Sequence, residues 1–496
     1  MRRSGILMPV FSLPSRYGIG CFSREAYEFA DFLKKSGQTL WQILPLGPTG
    51  YGDSPYQSFS SFAGNPYFID LDTLREEGLL KEEDYARADF GSNPVKIDYG
   101  KMYRARFAVL RKAYRRWDKS RDAGYAQFLK KQSYWLEDYC LYMAVKDSFG
   151  GKAWTEWDDD IRLRRPEALK RCREKLAEDI DFYRFLQWEF TRQWTRLKQY
   201  VNGLGIRIVG DIPIYVSADG SDAWSDPSLF QFDDNSRPIR VAGCPPDAFS
   251  ADGQLWGNPI YRWDVQEKTG YAWWIRRMSR CFELYDIVRV DHFRGFDEYY
   301  SIPYGAKNAV HGRWEPGPGM KLFRALEKHF GSSVPLIAED LGYLTDSVRK
   351  LVRDSGYPGM KVLEFAFDSR EESNYMPYCY PNNCVVYTGT HDNQTLYAWV
   401  DELDPQDRRL LLDYLGIDGN DRVEVVWGVI RAAMESVADT AVIPLWDYLC
   451  LGADCRVNRP STTGTNWRWR MKAGALTPEL GAKIRRLTQV SGRLKG

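Results

Sequence analysis

The chain has 496 residues and an almost even charge balance, with 68 Lys and Arg against 67 Asp and Glu. A net charge of +1 provides no global field that would attract nucleic acid or an anionic membrane surface. No apolar run approaches the roughly 18 residues that a membrane-spanning helix needs. These properties favour a neutral, polar ligand, and the aromatic content of 15% supplies flat faces of the kind that pack on sugar rings.

The cysteine content is typical of a protein in a reducing compartment. There are nine, an odd number, and they show no CxxC pair and no metal-ligand spacing. The N-terminal apolar run at residues 6–8 is broken by Pro9 and indicates a first strand rather than a signal peptide. A glycan on the sequon at Asn393 would obstruct an acid, Asp392, that is a catalytic candidate below. We therefore expect an unglycosylated, cytoplasmic protein.

Short apolar runs bounded by Gly, Pro or Asp predict eight strands. They lie at residues 6–8, 40–44, 206–209, 287–290, 335–338, 360–363, 384–387 and 441–443. Between the first two, the segment from the cap residue Ser23 to the stop signal Gly37 has an apolar face at helical spacing. Strands that alternate with helices indicate a parallel sheet, and eight repeats favour an α/β fold closed into a (β/α)₈ TIM barrel.

Two stretches do not fit this repeat and are interpreted as insertions into a barrel formed by residues 1–74 and 191–496. Residues 75–190 are charged, aromatic and mostly helical in period. Residues 217–264 are rich in Asp, Gly, Pro and Trp, have no clear period, and are expected to lie over the mouth of the barrel. Residues 444–496 are too few for an additional C-terminal β-sandwich, so none is expected.

Four of the predicted strands end in a carboxylate, namely Asp211, Asp291, Glu339 and Asp392. The C-terminal ends of all strands in a barrel face one mouth, so these acids are expected to converge. Arg289 lies two residues before Asp291 and on the same side of its strand, where it can keep that carboxylate ionised. Several acids in one mouth suit cleavage of a glycosidic bond, which needs a nucleophile or base and a second acid that protonates the leaving oxygen.

Other interpretations of these acids stay open. Strand-end acids can cap the following helices or form salt bridges around a barrel rim, although capping requires neither Arg-x-Asp-His nor Thr-His-Asp-Asn. An Asp, His and Glu metal site is a second alternative, but the spacing is not diagnostic, and we expect no metal ion and no cofactor. Two of the four His residues, His292 and His391, adjoin the acids and are candidates for hydrogen bonds to sugar hydroxyls.

Four segments resemble the signature regions of the α-amylase clan, and their detailed form is similar to the amylomaltases, the 4-α-glucanotransferases of glycoside hydrolase family 77. They are Gly210-Asp-Ile-Pro-Ile-Tyr215, Arg289-Val-Asp-His-Phe-Arg-Gly295, Ala338-Glu-Asp-Leu-Gly342 and Gly389-Thr-His-Asp-Asn393. The resemblance extends to residues 53–59, 64–67, 243–249, 253–263, 456–458 and 466–469. It implies transfer of α-1,4-glucan segments, with maltooligosaccharides or amylose-like glucans as substrates and glucose as an acceptor.

The resemblance also implies roles for individual residues. Asp291 would be the nucleophile, Glu339 the acid/base, and Asp392 a third acid that binds sugar hydroxyls and favours ring distortion. The implied substrate-binding residues are Tyr56, Asp211, Arg289 and His391 around the cleaved sugar, Asp247, Phe249, Gln254 and Trp256 on the acceptor side, and Asn458. The motif around Asn458, Arg-Val-Asn-Arg-Pro-Ser, departs from the family's more frequent Arg-Met-Asn-Thr-Pro-Gly.

A glycosyl-enzyme on Asp291 can be resolved by water or by a sugar hydroxyl. Transfer is favoured when the acceptor is held in near-attack geometry and water is poorly placed, and residues 243–263 with Trp256 are the candidate for this. The alternatives are an α-amylase-like α-1,4-glucan hydrolase and a non-catalytic glucan-binding barrel. The presence of all three acids argues against the binding protein.

Overall fold

The computed structural model describes residues 2–50, 52–246, 251–342 and 344–494. Twelve strands occur in this part of the chain. In chain order they are β1 (Arg3–Leu7), β2 (Leu40–Gln42), β3 (Arg207–Pro213), β4 (Arg240–Cys244), β5 (Gln254–Pro259), β6 (Ile287–Asp291), β7 (Glu298–Pro303), β8 (Arg313–Pro316), β9 (Leu336–Ala338), β10 (Gly359–Val362), β11 (Cys384–Tyr387) and β12 (Thr440–Pro444).

Eight of these strands form one parallel sheet in the order β10-β11-β12-β1-β2-β3-β6-β9. Every strand of the sheet coincides with a predicted one. The ends of the sheet meet, because the Ala338 backbone N–H donates to the Pro358 carbonyl at 2.9 Å. The Met360 N–H beside this contact donates to the Asp340 carboxylate at 2.6 Å. The sheet is therefore a nearly closed barrel, and the predicted (β/α)₈ fold is confirmed.

Helices connect and surround the barrel strands. In chain order they are α1 (Arg24–Lys35), α2 (Leu71–Glu76), α3 (Tyr99–Arg116), α4 (Tyr125–Ser148), α5 (Asp159–Arg162), α6 (Pro166–Lys175), α7 (Ala177–Gly203), α8 (Ser221–Ser225), α9 (Trp263–Lys268), α10 (Ala272–Leu284), α11 (Met320–Phe330), α12 (Asp346–Ser355), α13 (Leu396–Glu402), α14 (Pro405–Leu415), α15 (Arg422–Glu435), α16 (Leu445–Tyr448) and α17 (Pro478–Val490).

Helix α1 shows how the sequence sets an element. Ser23 is its N-cap residue, and Ala26, Phe29, Ala30 and Leu33 are all completely buried on one face. Gly37, just past its end, has a φ of +76°, a backbone conformation that favours glycine. The helix predicted between Ser23 and Gly37 is confirmed.

The helices α2 to α7 lie between β2 and β3, and the long helices α4 and α7 pack along each other. Two polar contacts join this layer to the mouth of the barrel. Gln187 of α7 exchanges two hydrogen bonds of 2.8 Å with the backbone of Gly64. Lys146 of α4 lies 2.6 Å from the carboxylate of Asp219, which follows β3. The helical layer thereby fixes two of the loops that surround the mouth.

A second, antiparallel sheet has the order β5-β4-β7-β8. Its strands β4 and β5 lie within residues 217–264, and β7 and β8 follow β6. Val241 of β4, Tyr300 and Ile302 of β7, and Ala309 form a small apolar cluster of their own. Strand β5 is at one edge of this sheet and carries Gln254 and Trp256. The sheet therefore presents two of the predicted binding residues.

After β12, the described residues 445–494 contain helices and no strand. Across the described ranges, none of the helices combines the length and the apolar character that crossing a membrane would require.

Candidate active site

The register of the barrel strands brings three of the four strand-end acids together. Asp211 of β3 pairs with Arg289 of β6, two residues before Asp291. Val290 pairs with Ala338, so Asp291 and Glu339 follow at neighbouring strand ends. Asp392 belongs to the connection between β11 and α13. These alignments place Asp211, Asp291 and Glu339 at one mouth of the barrel, as predicted.

Arg289 bridges two of the acids. Its Nη1 lies 2.8 and 2.7 Å from the two carboxylate oxygens of Asp211, and its Nη2 lies 3.0 Å from Oδ1 of Asp291. Burial alone would lower the pKa of Arg289, but the carboxylates of Asp211 and Asp291 more than offset this and raise it. The guanidinium therefore stays charged, and it orients Asp291, whose side chain is 33% exposed at the mouth.

Glu339 lies in a different environment from Asp291. Its carboxylate accepts the backbone N–H of His292 at 2.7 Å and that of Leu341 at 2.8 Å. Burial raises the pKa of Glu339 to about 7, and the charge of Asp291 adds to this effect. The two neighbouring carboxyl groups therefore differ in protonation. Asp291 is paired with a guanidinium, whereas Glu339 can carry a proton near neutral pH.

Asp392 is fixed by three neighbours. Asn458 Nδ2 donates to its Oδ1 at 2.6 Å, and His391 Nε2 lies 3.4 Å from the same oxygen. Arg456 donates to the Asp392 carbonyl at 2.7 Å. Of the Asp392 side chain, 41% is exposed. Asn458 thus contacts the third acid, and the carboxylate remains open to the mouth.

Tyr56 and His391 form a stacked pair, with ring centroids 5.1 Å apart and planes 13° from parallel. The Tyr56 hydroxyl donates to Asp211 Oδ2 at 2.9 Å. Trp467 lies against both rings, at 5.8 Å from each. Trp467 has no assigned role in the sequence analysis, although its segment, residues 466–469, is part of the resemblance.

Trp256 and His292 meet on the other side of the mouth. Their rings are 4.8 Å apart and perpendicular, and Trp256 Nε1 donates to the Gln254 side chain at 3.0 Å. Burial lowers the pKa of His292 to about 4, so the imidazole is neutral at pH 7. Its Nε2 has no hydrogen-bond partner among the described residues. The ring of Tyr215 lies 6.3 Å from that of Trp256, on the same side of the mouth. Like Trp467, Tyr215 has no role predicted from the sequence.

The structure thus brings together eleven of the thirteen predicted site residues. Asp247 and Phe249 lie outside the described residues. A cavity of about 1190 Å³ lies beside the site, lined by residues 48–50 and by side chains of α3, α4 and α7. Since none of the three proposed catalytic acids lines this cavity, the carboxylates and not the cavity define the candidate active site.

The comparisons with known proteins agree with this arrangement. A family model described as 4-alpha-glucanotransferase, glycoside hydrolase family 77, matches residues 8–477. The chain is 48% identical to a 4-alpha-glucanotransferase of Clostridium butyricum over 488 residues, or 98% of this chain and 100% of the relative. It is 46% identical to one of Thermus thermophilus, with 99% of each chain covered. The fold is similar to that of an amylomaltase from Streptococcus agalactiae in complex with acarbose, with a TM-score of 0.97, 41% identity and 100% of both chains covered.

Proposed function

Because the chain belongs to glycoside hydrolase family 77, the 4-alpha-glucanotransferases, we propose that it performs glucan transfer by a retaining double displacement through a covalent intermediate on Asp291. The observation that carries this proposal is the contrast between two adjacent carboxyl groups. Asp291 is paired with Arg289, whereas burial raises the pKa of Glu339 to about 7. Retaining cleavage needs this combination of an ionised nucleophile and a protonated acid.

In the first step, a carboxylate oxygen of Asp291 attacks the anomeric carbon of the donor glucan. The carboxyl group of Glu339 gives its proton to the glycosidic oxygen, and the shortened glucan leaves with a new 4-hydroxyl group. Arg289 stabilises the attacking carboxylate and is itself fixed by Asp211. Asp392, which His391 and Asn458 flank, is open to the mouth and is placed to bind hydroxyls of the distorted sugar.

In the second step, the Glu339 carboxylate removes the proton from the 4-hydroxyl group of an acceptor, and that oxygen attacks the glycosyl-enzyme on Asp291. The bond to Asp291 breaks, Glu339 regains its proton, and the anomeric configuration of the donor is retained. The backbone N–H groups of His292 and Leu341 hold the same Glu339 carboxylate in both steps. One residue can therefore serve as acid and then as base.

Transfer in preference to hydrolysis depends on how the acceptor is placed. Trp256, Gln254 and the neutral His292 form a wall of the mouth next to Asp291. An aromatic face and a free imidazole nitrogen suit a sugar ring and its hydroxyls. Asp247 and Phe249, which lie between β4 and β5 along the chain, belong to the same proposed acceptor side. A sugar bound here would exclude water from the intermediate.

We further propose maltooligosaccharides and amylose-like α-1,4-glucans as donors, glucose and glucans as acceptors, and the cytoplasm as the site of action. The acarbose complex of the Streptococcus agalactiae amylomaltase supports an oligosaccharide ligand for this mouth. No cofactor enters either step, since Asp291 and Glu339 supply the nucleophile and the proton.

The test is a product time course with pure maltotriose, comparing the native protein with Asp291→Asn. Glucose and longer maltooligosaccharides at a constant total of reducing ends, both lost in the variant, are expected. A rising total of reducing ends without longer products would identify a hydrolase instead. Unchanged maltotriose would favour a glucan-binding protein, and an Asp291→Asn variant of full activity would contradict the assignment of the nucleophile.

A further inference from the structure

Asp447 is a buried acid that the two proposed steps do not use. It lies in α16, directly after β12, and its side chain is 1% exposed. Its Oδ2 accepts the Thr388 hydroxyl at 2.7 Å, and its Oδ1 accepts the Leu396 backbone N–H at 2.9 Å. Thr388 follows β11, and Leu396 begins α13. One carboxyl group thereby joins the two ends of residues 388–396, the segment that carries His391 and Asp392, here called the Asp392 loop.

Glu364 contacts the same loop. Its backbone N–H donates to the Thr388 carbonyl at 3.1 Å, and a Cβ built on Gly389 would lie within 3.2 Å of both the Glu364 carboxyl group and the Asn393 side chain. Asn393 Oδ1 accepts both the N–H and the hydroxyl of Thr390, at 2.9 and 2.8 Å. The Thr390 hydroxyl oxygen accepts the Asp392 N–H at 3.2 Å. Hydrogen bonds thus link Asn393 through Thr390 to the backbone of Asp392, and Glu364 holds the start of the same loop through the Thr388 carbonyl.

We propose that Asp447 is a positioning residue for glucan transfer, which acts with Glu364 to fix the Asp392 loop so that Asp392 and His391 face the cleaved sugar. This inference rests on the proposed function, because it concerns the residue that binds the distorted ring. The fit is tight, since a Cβ at Gly389 would lie 2.6 Å from the Glu364 carboxyl oxygen. The loop therefore has little room to shift while Asp447 and Glu364 are in place.

Asp447 and Glu364 can share one buried space because burial favours the uncharged form of each. Burial raises the pKa of Asp447 to about 7 and that of Glu364 well above its ordinary value. The other charged groups that act on Glu364 are Arg456 and Glu402. A neutral Asp447 keeps both of its hydrogen bonds, because the Thr388 hydroxyl can donate or accept. Replacement of Asp447 by Asn should therefore preserve the arrangement, whereas Ala removes it.

The experiment compares Asp447→Ala with Asp447→Asn in maltotriose disproportionation, at a temperature at which both are folded. A misplacement on the order of 1 Å at a reacting centre can cost about a hundredfold in rate. We expect Asp447→Ala to lower kcat by about 30-fold or more while KM changes less than about threefold, and Asp447→Asn to stay within about threefold of the native kcat. Equal kcat values for the native protein and Asp447→Ala would overturn the proposal.

Two controls separate positioning from general stability. Asp70→Ala removes another buried acid, the N-cap of α2, and is expected to lower Tm while kcat is unchanged. In an Asp392→Asn background, assayed with an activated aryl α-maltoside, Asp447→Ala should lower kcat clearly less than it does in the native background, because one of the two residues that it positions is already disabled. An undiminished effect of Asp447→Ala in that background would overturn the proposal.

If Asp447→Ala does not fold, Thr388→Val provides the same test. It removes the donor to Asp447 but leaves the bond to Leu396. A reduced kcat at near-constant KM supports the proposal, and a native kcat contradicts it. The positioning role of Asp447 and the proposed glucan transfer can also be refuted separately. If Asp291→Asn is inactive and Thr388→Val is native, only the positioning role of Asp447 is refuted.

Discussion

Arg289 and Asp211 form a two-point ion pair inside the barrel, in which Nη1 lies 2.8 and 2.7 Å from the two carboxylate oxygens. Both side chains are almost wholly buried, at 3% and 0% exposure. The second guanidinium nitrogen of Arg289 contacts Asp291. The orientation of the proposed nucleophile is thus set by a pair that is itself out of reach of solvent.

Asp211→Ala is expected to lower the free energy of unfolding by about 3–5 kcal/mol, because it leaves the Arg289 charge buried without its partner. Denaturant unfolding measures this difference, and kcat/KM for maltotriose should fall in parallel because Asp291 and Tyr56 both lose support. The matched control is Glu267→Ala, which breaks an exposed pair with Lys321 and should cost no more than about 1 kcal/mol. Equal losses in the two variants would contradict this account of the buried pair.

The pH dependence of kcat/KM follows from Glu339. The cleavage step needs the protonated carboxyl group, and burial raises the pKa of Glu339 to about 7. As pH rises through that value the proton is lost, so kcat/KM should fall by about tenfold for each further pH unit. The measurement is kcat/KM for maltotriose between pH 5 and 9. The control is Glu339→Gln, whose side chain does not ionise and whose residual activity should not show this fall at high pH. A flat profile between pH 6 and 9 in the native protein would exclude Glu339 as the acid.

A separate prediction concerns stability and pH. Burial raises the pKa of Asp447 from the ordinary 3.8 to about 7, so between these values the folded protein holds a proton that the unfolded chain has lost. The contribution of Asp447 to stability is therefore present at low pH and is lost as pH rises through this window. Asp447→Asn cannot ionise, and its unfolding free energy should decline less steeply, by up to about 1.4 kcal/mol per pH unit.

The measurement is denaturant unfolding of the native protein and Asp447→Asn at pH 4.5, 5.5 and 6.5. The contributions of titratable groups that do not interact with Asp447 cancel in the difference between the two proteins, whereas Glu364, on which the Asp447 charge acts, belongs to the difference. Two parallel curves would mean that Asp447 is ionised in the folded state across this range.

The barrel and its acids could be predicted from the sequence because their signals are local. Each barrel strand is a short apolar run closed by a turn residue, and the acids stand at the ends of those runs. The antiparallel sheet has no such signal. Its strands β4 and β7 pair across about 60 residues of chain, and their polar and aromatic residues show no regular alternation.

Asp447 and Glu364 could not be predicted for a related reason. Asp447 stands in the run Pro444-Leu-Trp-Asp447, where an acid after a strand is most simply interpreted as a helix cap. Its two partners are 59 and 51 residues away in sequence. Only the folded barrel shows that one carboxyl group contacts both ends of the Asp392 loop.

Tyr56 allows its hydroxyl group and its ring to be tested separately. Tyr56→Phe removes the hydrogen bond to Asp211 and keeps the stacked contact with His391, whereas Tyr56→Ala removes both. We expect kcat/KM for maltotriose to fall by about threefold to tenfold in the Phe variant, as one lost hydrogen bond implies, and further in the Ala variant. Equal losses would show that the ring contributes nothing beyond the hydroxyl group.

The last prediction concerns the choice between transfer and hydrolysis. Trp256 is perpendicular to His292, at 4.8 Å, and stands on the edge strand β5 beside the proposed nucleophile. If its ring places the acceptor and excludes water, Trp256→Ala should let water compete for the glycosyl-enzyme. The ratio of hydrolysis to transfer is then expected to rise by about threefold to tenfold, while cleavage itself is less affected.

The ratio is measured with maltotriose as the rate of new reducing ends divided by the rate at which longer oligosaccharides form. Tyr378→Ala is a suitable control, because Tyr378 is a large aromatic residue whose side chain is 76% exposed. Trp256→Phe should behave like the native protein, since a flat ring remains. An unchanged ratio in Trp256→Ala would show that water is excluded by other groups, and the acceptor side would then have to be assigned elsewhere in the mouth.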